Sequence, residues 1–184
     1  MKAIMYYLFV LSCIFSVQAQ EEVIELDPAN LNYFETAFIK TGLNEYQFKI
    51  NEEYAGQFSI NPIEYVKTNF DINQFIAAID NEDYDSYEVN FRSSKGFLNA
   101  SYDKEGNLVS TFQQFKNIYV PKDIRDDLYA NYKGWSMVKN KYVASGKLDR
   151  IDRAVFKIRL ERGKEHQNIK ITPKARMNSG VASN

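Results

Sequence analysis

The chain has 184 residues, a formal net charge of −1 at neutral pH, 15% aromatic residues and a single cysteine. A chain of this length buries roughly 70% of its unfolded surface without disulfides or metals, and its aromatic content excludes an intrinsically disordered protein. One histidine and one cysteine leave too few nitrogen and sulfur ligands for a tetrahedral zinc site.

The N-terminal segment is typical of a secretory signal peptide, which we place at residues 1–19. A positive charge precedes the apolar run 4–17, and Val17-Gln18-Ala19 supplies the small residues of a cleavage site. We therefore predict a mature chain that begins at Gln20 and a periplasmic or secreted location. Cys13 would be removed with the signal, so the mature domain would hold no thiol and no disulfide.

Lipid attachment is the alternative for this segment. Val10-Leu11-Ser12-Cys13 places a small residue before the cysteine, as lipoprotein signals do. Because the apolar run continues past Cys13 to a good cleavage site at Ala19, we prefer simple cleavage. The run is too short for a stable membrane span, and we predict none.

Charge is divided along the chain. Residues 20–119 contain 7 Lys/Arg and 17 Asp/Glu, whereas residues 120–184 contain 15 and 7. One interpretation is a basic surface for an anionic partner such as a polysaccharide, an acidic protein or a lipid head group. We prefer a second interpretation, in which the acidic and basic halves pack together and their electrostatic fields complement each other, because the basic residues are spread along predicted strands. We expect no nucleic-acid partner for an exported protein of acidic pI.

The first half begins with a predicted hairpin of residues 31–38 and 46–50. A helix is predicted to follow at Asn61-Pro62. Asn61 would cap the start of this helix, and Ile60 would pack on Tyr65 across the cap. Residues 75–80 alternate in polarity and predict a strand. The inward face of the helix would carry Ile63, Val66 and Phe70.

Alternation continues after these elements. It predicts strands over residues 87–91, 98–102 and 108–115, the last two forming a hairpin. The turn at 103–107 contains Gly106, which can adopt the left-handed conformation of a bulged hairpin.

The second half begins with a helix that starts at Pro121 and ends at Gly134, with Tyr119 packed on Ile124 across its start. Three predicted strands follow, and Gly163 forms the turn between the last two. The helix would bury Ile124, Leu128 and Tyr132, and the strands cover residues 137–143, 154–160 and 168–172.

These elements predict an α+β fold in which two helices pack on an antiparallel sheet and a helix-then-meander unit is weakly duplicated. We predict one domain over residues 20–174, with halves at 30–119 and 120–174. The tail, 175–184, is rich in Ser, Asn and Gly, and we expect it to be disordered.

Three segments together resemble a known family. They are Tyr102-Asp103-Lys104-Glu105-Gly106-Asn107-Leu108, Val120-Pro121 and Tyr132-Lys133-Gly134-Trp135, and they resemble the secreted PepSY-like domains of the beta-lactamase-inhibitor-protein-like group. The resemblance covers residues 75–172 and extends loosely over 26–70. It implies a helix on an antiparallel sheet, often in tandem copies, and a role in binding or inhibiting other proteins without catalysis.

The sequence contains no evident catalytic or metal-binding constellation. His166, the sole histidine, is predicted as an exposed loop residue, and the chain has no Gly-x-Ser-x-Gly motif of a serine hydrolase. The acidic segment 80–85 lacks the glycine and the terminal glutamate of an EF-hand, so we predict a solvated turn there. We predict no enzyme activity, no cofactor and no metal.

The predicted function is an exported, non-enzymatic binding module that docks an envelope or extracellular protein or peptide, with inhibition as one form of that activity. The alternatives are a small-ligand or glycan carrier with an aromatic-lined pocket and, more remotely, a hydrolase with two carboxylates. For Trp135, anchoring the helix on the sheet is the stronger interpretation. Because Tyr and Trp dominate binding hot spots, the candidate contact residues are Tyr84, Tyr87, Tyr119, Trp135 and Tyr142.

Overall fold

A computed structural model describes residues 23–25, 37–79 and 84–173 of the chain. Within these residues it forms one sheet whose nine strands lie side by side in chain order. The predicted signal segment 1–19 and tail 175–184 lie outside the described residues. The strands are β1 Val23–Glu25, β2 Ala37–Lys40, β3 Glu45–Lys49, β4 Ser86–Ser93, β5 Gly96–Asp103, β6 Leu108–Lys116, β7 Ser136–Lys147, β8 Arg150–Arg162 and β9 Glu165–Ile171.

Four helices lie in the same ranges: α1 Ala55–Ile60, α2 Pro62–Asn69, α3 Ile72–Ala78 and α4 Lys122–Asn131. Helices α1–α3 connect β3 to β4, which pair in parallel, and all other neighbouring strands are antiparallel. The predicted fold of two helices on an antiparallel sheet is therefore wrong. Three short helices precede β4–β6, whereas one helix precedes β7–β9, and all these strands belong to one continuous mixed sheet. The two halves therefore do not repeat the same helix-then-meander unit.

The predicted strand at residues 75–80 is also wrong, because α3 occupies most of this segment. The Asp71 carboxylate caps α3 by accepting the backbone N–H groups of Asn73 at 2.9 Å and Gln74 at 3.1 Å. Such a cap stabilises a helix start by about 1 kcal/mol. Phe75 is the one fully buried side chain of α3, and a single buried ring leaves no helical period to detect in the sequence.

The predicted helix starts at Pro62 and near Pro121 are confirmed, but the contacts predicted across them are wrong. The Asn61 side chain makes no capping hydrogen bond. Ile60 is 65% exposed and Tyr119 is 67% exposed, so neither side chain is packed across its helix start. Tyr119 instead stacks against Arg125, whose guanidinium carbon lies 4.8 Å from the ring centroid.

The predicted strands of both meanders are confirmed as β4–β6 and β7–β9. The leading hairpin is present as the antiparallel pair β2 and β3, while residues 31–36 of its first predicted strand lie outside the described ranges. Gly106 adopts the predicted left-handed backbone, with φ of 81°, in the turn between β5 and β6.

One face of the sheet, which we call the inner face, carries the core. Phe48 is fully buried there and contacts four other rings, Phe38, Phe70, Phe75 and Phe91, at centroid distances between 5.0 and 5.7 Å. Side chains of α1–α3 pack in this cluster against β2–β6. A second cluster joins α4 to β8 through Val120, Ile124, Leu128, Phe156, Ile158 and Leu160.

The opposite face, which we call the outer face, has no described helix packed against it. Strand alternation assigns residues to it, since register partners in an antiparallel pair point to the same side of the sheet. No helix among the described residues is long and apolar enough to cross a membrane.

Candidate functional site: the outer face of the sheet

The outer face has an aromatic centre on β5 and β6. The rings of Phe97 and Phe112 lie with centroids 5.9 Å apart, and we call them the ring pair. The guanidinium carbon of Arg92, on the adjacent strand β4, lies 5.3 Å from the Phe97 centroid. Phe112 is 41% exposed, so this cluster meets solvent rather than the core.

In the middle of strand β6, polar side chains face the core and an aromatic side chain faces solvent. Thr111 and Gln113 are only 4% and 3% exposed on the inner face, while Phe112 between them points outward. The hydroxyl of Thr111 and the carbonyl oxygen of Gln113 have no hydrogen-bond partner. Each buried acceptor without a partner costs about 1–3 kcal/mol, so this polarity opposes stability.

A polar groove of about 400 Å³ lies beside the ring pair, over β3–β5. Glu45 and Glu88 are register partners in the parallel pair β3 and β4, and both line the groove. The Asn90 amide donates to the Asn99 side-chain oxygen across β4 and β5. The groove therefore presents carboxylates and amides and no exposed ring. Its lining is Thr41, Glu45, Tyr46, Gln47, Glu88, Val89, Asn90, Arg92 and Asn99.

Within the part of the chain that the structure describes, ion pairs do little to join the acidic half to the basic half. Between described residues, the ion pair that joins the halves is Lys67 with Asp149 at 3.2 Å, and its lysine belongs to the acidic half. The basic side chains of the second half are brought together by strand register, with Lys139 opposite Arg159 and Lys141 opposite Lys157. Among the described residues, no acidic side chain of the first half is in an ion pair with a basic side chain of the second half, so the complementary packing of the halves stays a prediction.

The structure brings two of the predicted contact residues together, near β4. Tyr84 and Tyr87 have ring centroids 5.9 Å apart, and the Lys40 ammonium donates to the Tyr84 hydroxyl at 3.3 Å. Tyr87 is 2% exposed on the inner face, so its ring belongs to the core. Tyr84 is half-buried, which leaves part of its ring at the surface.

The other three predicted residues lie around α4. Tyr119 is exposed, and its hydroxyl accepts a hydrogen bond of 2.8 Å from Arg125. Trp135 packs against the second cluster, with the Arg162 guanidinium carbon 4.8 Å from its centroid, which is the anchoring role. Tyr142 lies on the inner face, 4.8 Å from the Phe156 centroid, and burial raises the pKa of its hydroxyl. None of the three belongs to the outer face.

Sequence reasoning missed Arg92, Phe97 and Phe112. Phenylalanine in an alternating segment is expected to point to the core, and only the register of β6 against β5 and β7 assigns Phe112 to the other side. The alternation Thr111-Phe112-Gln113 shows in the sequence that a ring and polar side chains lie on opposite faces of the strand, but it does not show which face is buried.

The structure describes no metal centre: no three His, Cys, Asp or Glu side chains cluster as ligands within its residues. The acidic turn considered for calcium includes residues 80–83, which are outside them. A scan against protein-family models, a search of curated proteins and a search of solved structures each find no match to this chain.

Proposed function

We propose that the chain is an exported, non-enzymatic binding module that docks a protein or peptide on the outer face of its sheet. The observation that carries this proposal is the inverted polarity of β6, with Phe112 exposed and Thr111 and Gln113 buried. In a sheet with one packed and one solvated face, apolar side chains normally point inward. The free-energy cost of burying Thr111 and Gln113 is consistent with a binding function for the exposed Phe112 ring.

The chemistry around Phe112 indicates what the partner presents. Aromatic rings and arginine are the side chains that most often dominate binding energy at protein interfaces. Arg92 is exposed and can pair with a carboxylate through two parallel hydrogen bonds. The proposed partner therefore presents an apolar side chain to the ring pair and a carboxylate to Arg92. The family resemblance implies either simple binding of that partner or its inhibition.

Site-specific photo-crosslinking tests the docking surface. We place benzoylphenylalanine at Phe112 or, as the control, at Tyr129, which is 58% exposed on α4. We expect an adduct of defined mass from position 112 alone, which disappears when Arg92→Glu is added. Equal adducts from both positions, or no adduct from position 112, would contradict the proposal.

Export is a separate part of the proposal, supported by the signal-like segment 1–19. N-terminal sequencing of protein from the periplasm or medium should give Gln20, and incubation with a palmitate analogue should leave the protein unlabelled. An intact chain in the cytosol would contradict export. Labelling that is lost in Cys13→Ala would establish lipid attachment instead.

The polar groove is the concave site at which we consider both alternatives. The groove's volume of about 400 Å³ suits a small ligand, but the side chains that line it are mainly carboxylates and amides together with Arg92, and Tyr46, the aromatic residue among them, is buried. A two-carboxylate hydrolase would use Glu45 and Glu88, which are paired there. Glycoside turnover by pure protein that disappears in Glu88→Gln would replace the binding proposal.

A further inference from the structure

Strand register places four lysines in one row across the outer face. Lys116 of β6 is opposite Lys141 of β7, Lys141 is opposite Lys157 of β8, and Lys157 is opposite Lys170 of β9. We call these four residues the lysine row. They are 25, 16 and 13 positions apart in the sequence, so only the register reveals them.

Among the described residues, the rows beside the lysine row contain no carboxylate. On one side the next row is Gln114, Val143 and Val155, and on the other it is Lys139, Arg159 and Asn168. Within the described residues no ammonium of the lysine row is in an ion pair, and Glu161, the nearest outer-face acid on β8, is paired with Arg159 at 2.9 Å.

Like charges directly opposite each other on neighbouring strands destabilise a sheet. The lysine row contains three such pairs in succession, and three of its four side chains are exposed while Lys141 is half-buried. A basic surface of this kind attracts and concentrates anions from solution. An anionic ligand would remove the repulsion that the fold itself leaves in place.

We infer that the lysine row is a binding site for an anionic polysaccharide that carries one carboxylate or sulfate on each sugar ring. Neighbouring strands are about 4.8 Å apart, so the row offers one positive charge per strand along about 14 Å. An extended peptide repeats its same-side residues only every 6.7 Å or so and loses register with the lysines. In an extended chain of charged pyranose rings successive rings turn over, so charges on one side recur at every second ring, close to twice the strand spacing, and they reach alternate lysines of the row. This site is independent of the ring pair.

The test uses polygalacturonate as the probe and the full mature chain. The row variant is Lys141→Gln, Lys157→Gln and Lys170→Gln combined. The control, Lys104→Gln, Lys122→Gln and Lys133→Gln, changes net charge equally at the β5–β6 turn and around α4. At low salt we expect the row variant to lose affinity about tenfold or more and the control to stay within about twofold, with wild-type binding weakening as salt rises.

Competing probes and a stability measurement complete the test. Neutral dextran should not bind, and poly-L-glutamate and phosphatidylglycerol vesicles should bind more weakly than polygalacturonate at matched charge. Stronger binding of either, equal losses in row variant and control, or no binding of polygalacturonate would overturn the inference. The row variant should unfold at the wild-type temperature or above it, since it removes repulsion. Phe112→Ser should retain polygalacturonate binding, which separates this site from the protein-docking surface.

Discussion

At the scale of single residues, the β5–β6 turn shows how side chains close a hairpin. The Asp103 carboxylate accepts the backbone N–H of Asn107 at 2.8 Å and its side-chain N–H at 3.0 Å. These hydrogen bonds hold the pKa of Asp103 below its ordinary value of 3.8, and the one from the Asn107 side chain has the larger effect. The charged form is therefore the one that the folded turn favours.

This turn predicts a pH dependence with a definite sign. Because the folded pKa of Asp103 is lowered, its contribution to stability is present above the unfolded pKa and is lost as pH falls through the folded value. NMR titration of the Asp103 carboxyl should give a midpoint below 3.8, and Asn107→Ala should raise it. A midpoint that does not respond to Asn107→Ala would show that the turn does not depend on these bonds.

Two glycines differ sharply in what a side chain would meet. A Cβ at Gly146 of β7 would overlap the backbone carbonyl oxygen of Arg150, whereas a Cβ at Gly56 of α1 would meet no atom within 4 Å. Gly146→Ala should lower the free energy of unfolding by about 1–3 kcal/mol, because backbone must move. Gly56→Ala should raise it by about 0.5–1 kcal/mol through helix propensity. Urea unfolding measures both, and equal effects would contradict the close approach of the strands.

At the scale of elements, α2 and α3 differ in how they begin. Asp71 accepts two backbone hydrogen bonds at the start of α3, whereas Asn61 makes no side-chain capping bond at the start of α2. Asp71→Ala should therefore cost about 1 kcal/mol of unfolding free energy and Asn61→Ala almost nothing. A larger loss from Asn61→Ala, measured by the same urea titration, would reverse this assignment.

The elements that the sequence predicts well are those with a long period and a turn signal. Strands β4–β9 alternate over many residues, and Gly106 and Gly163 sit in the hairpin turns of both meanders. Helix α3 was not predicted because residues 75–80 fit both the period of a helix and that of a strand. The Asp71 cap favours the helix. The parallel pairing of β3 with β4 is a contact between segments about 40 residues apart, and periodicity contains no information on such contacts.

The candidate site was less predictable than the fold because it also depends on how distant strands are aligned. An aromatic in an alternating strand can lie on either face, and a change of one position in register exchanges the faces. Composition thus identified Tyr87 and Tyr142 as contact residues, although both rings lie on the inner face. The exposed centre, Phe112, and the lysine row appear only when neighbouring strands are aligned.

At the scale of the whole molecule, the two faces of the sheet present different chemistry. The inner face holds two clusters under α1–α3 and under α4, and Tyr142 packs against both. The outer face carries the ring pair, the polar groove and the lysine row, with no described helix over them. A single sheet nine strands wide offers these three chemistries side by side. We infer that this breadth, rather than a closed pocket, is what the fold provides for binding.

We propose that the outer face is exposed in the isolated protein and covered by a partner in the cell. In a Cys13→Ala background, Phe112→Cys and the control Tyr129→Cys each place one thiol on the chain, and a membrane-impermeant maleimide measures its accessibility. We predict that both thiols react in purified protein, and that in intact cells position 112 is protected while position 129 still reacts. Equal reaction at both positions in cells would mean that no partner covers the outer face, and no reaction of position 112 in purified protein would mean that this face is not exposed.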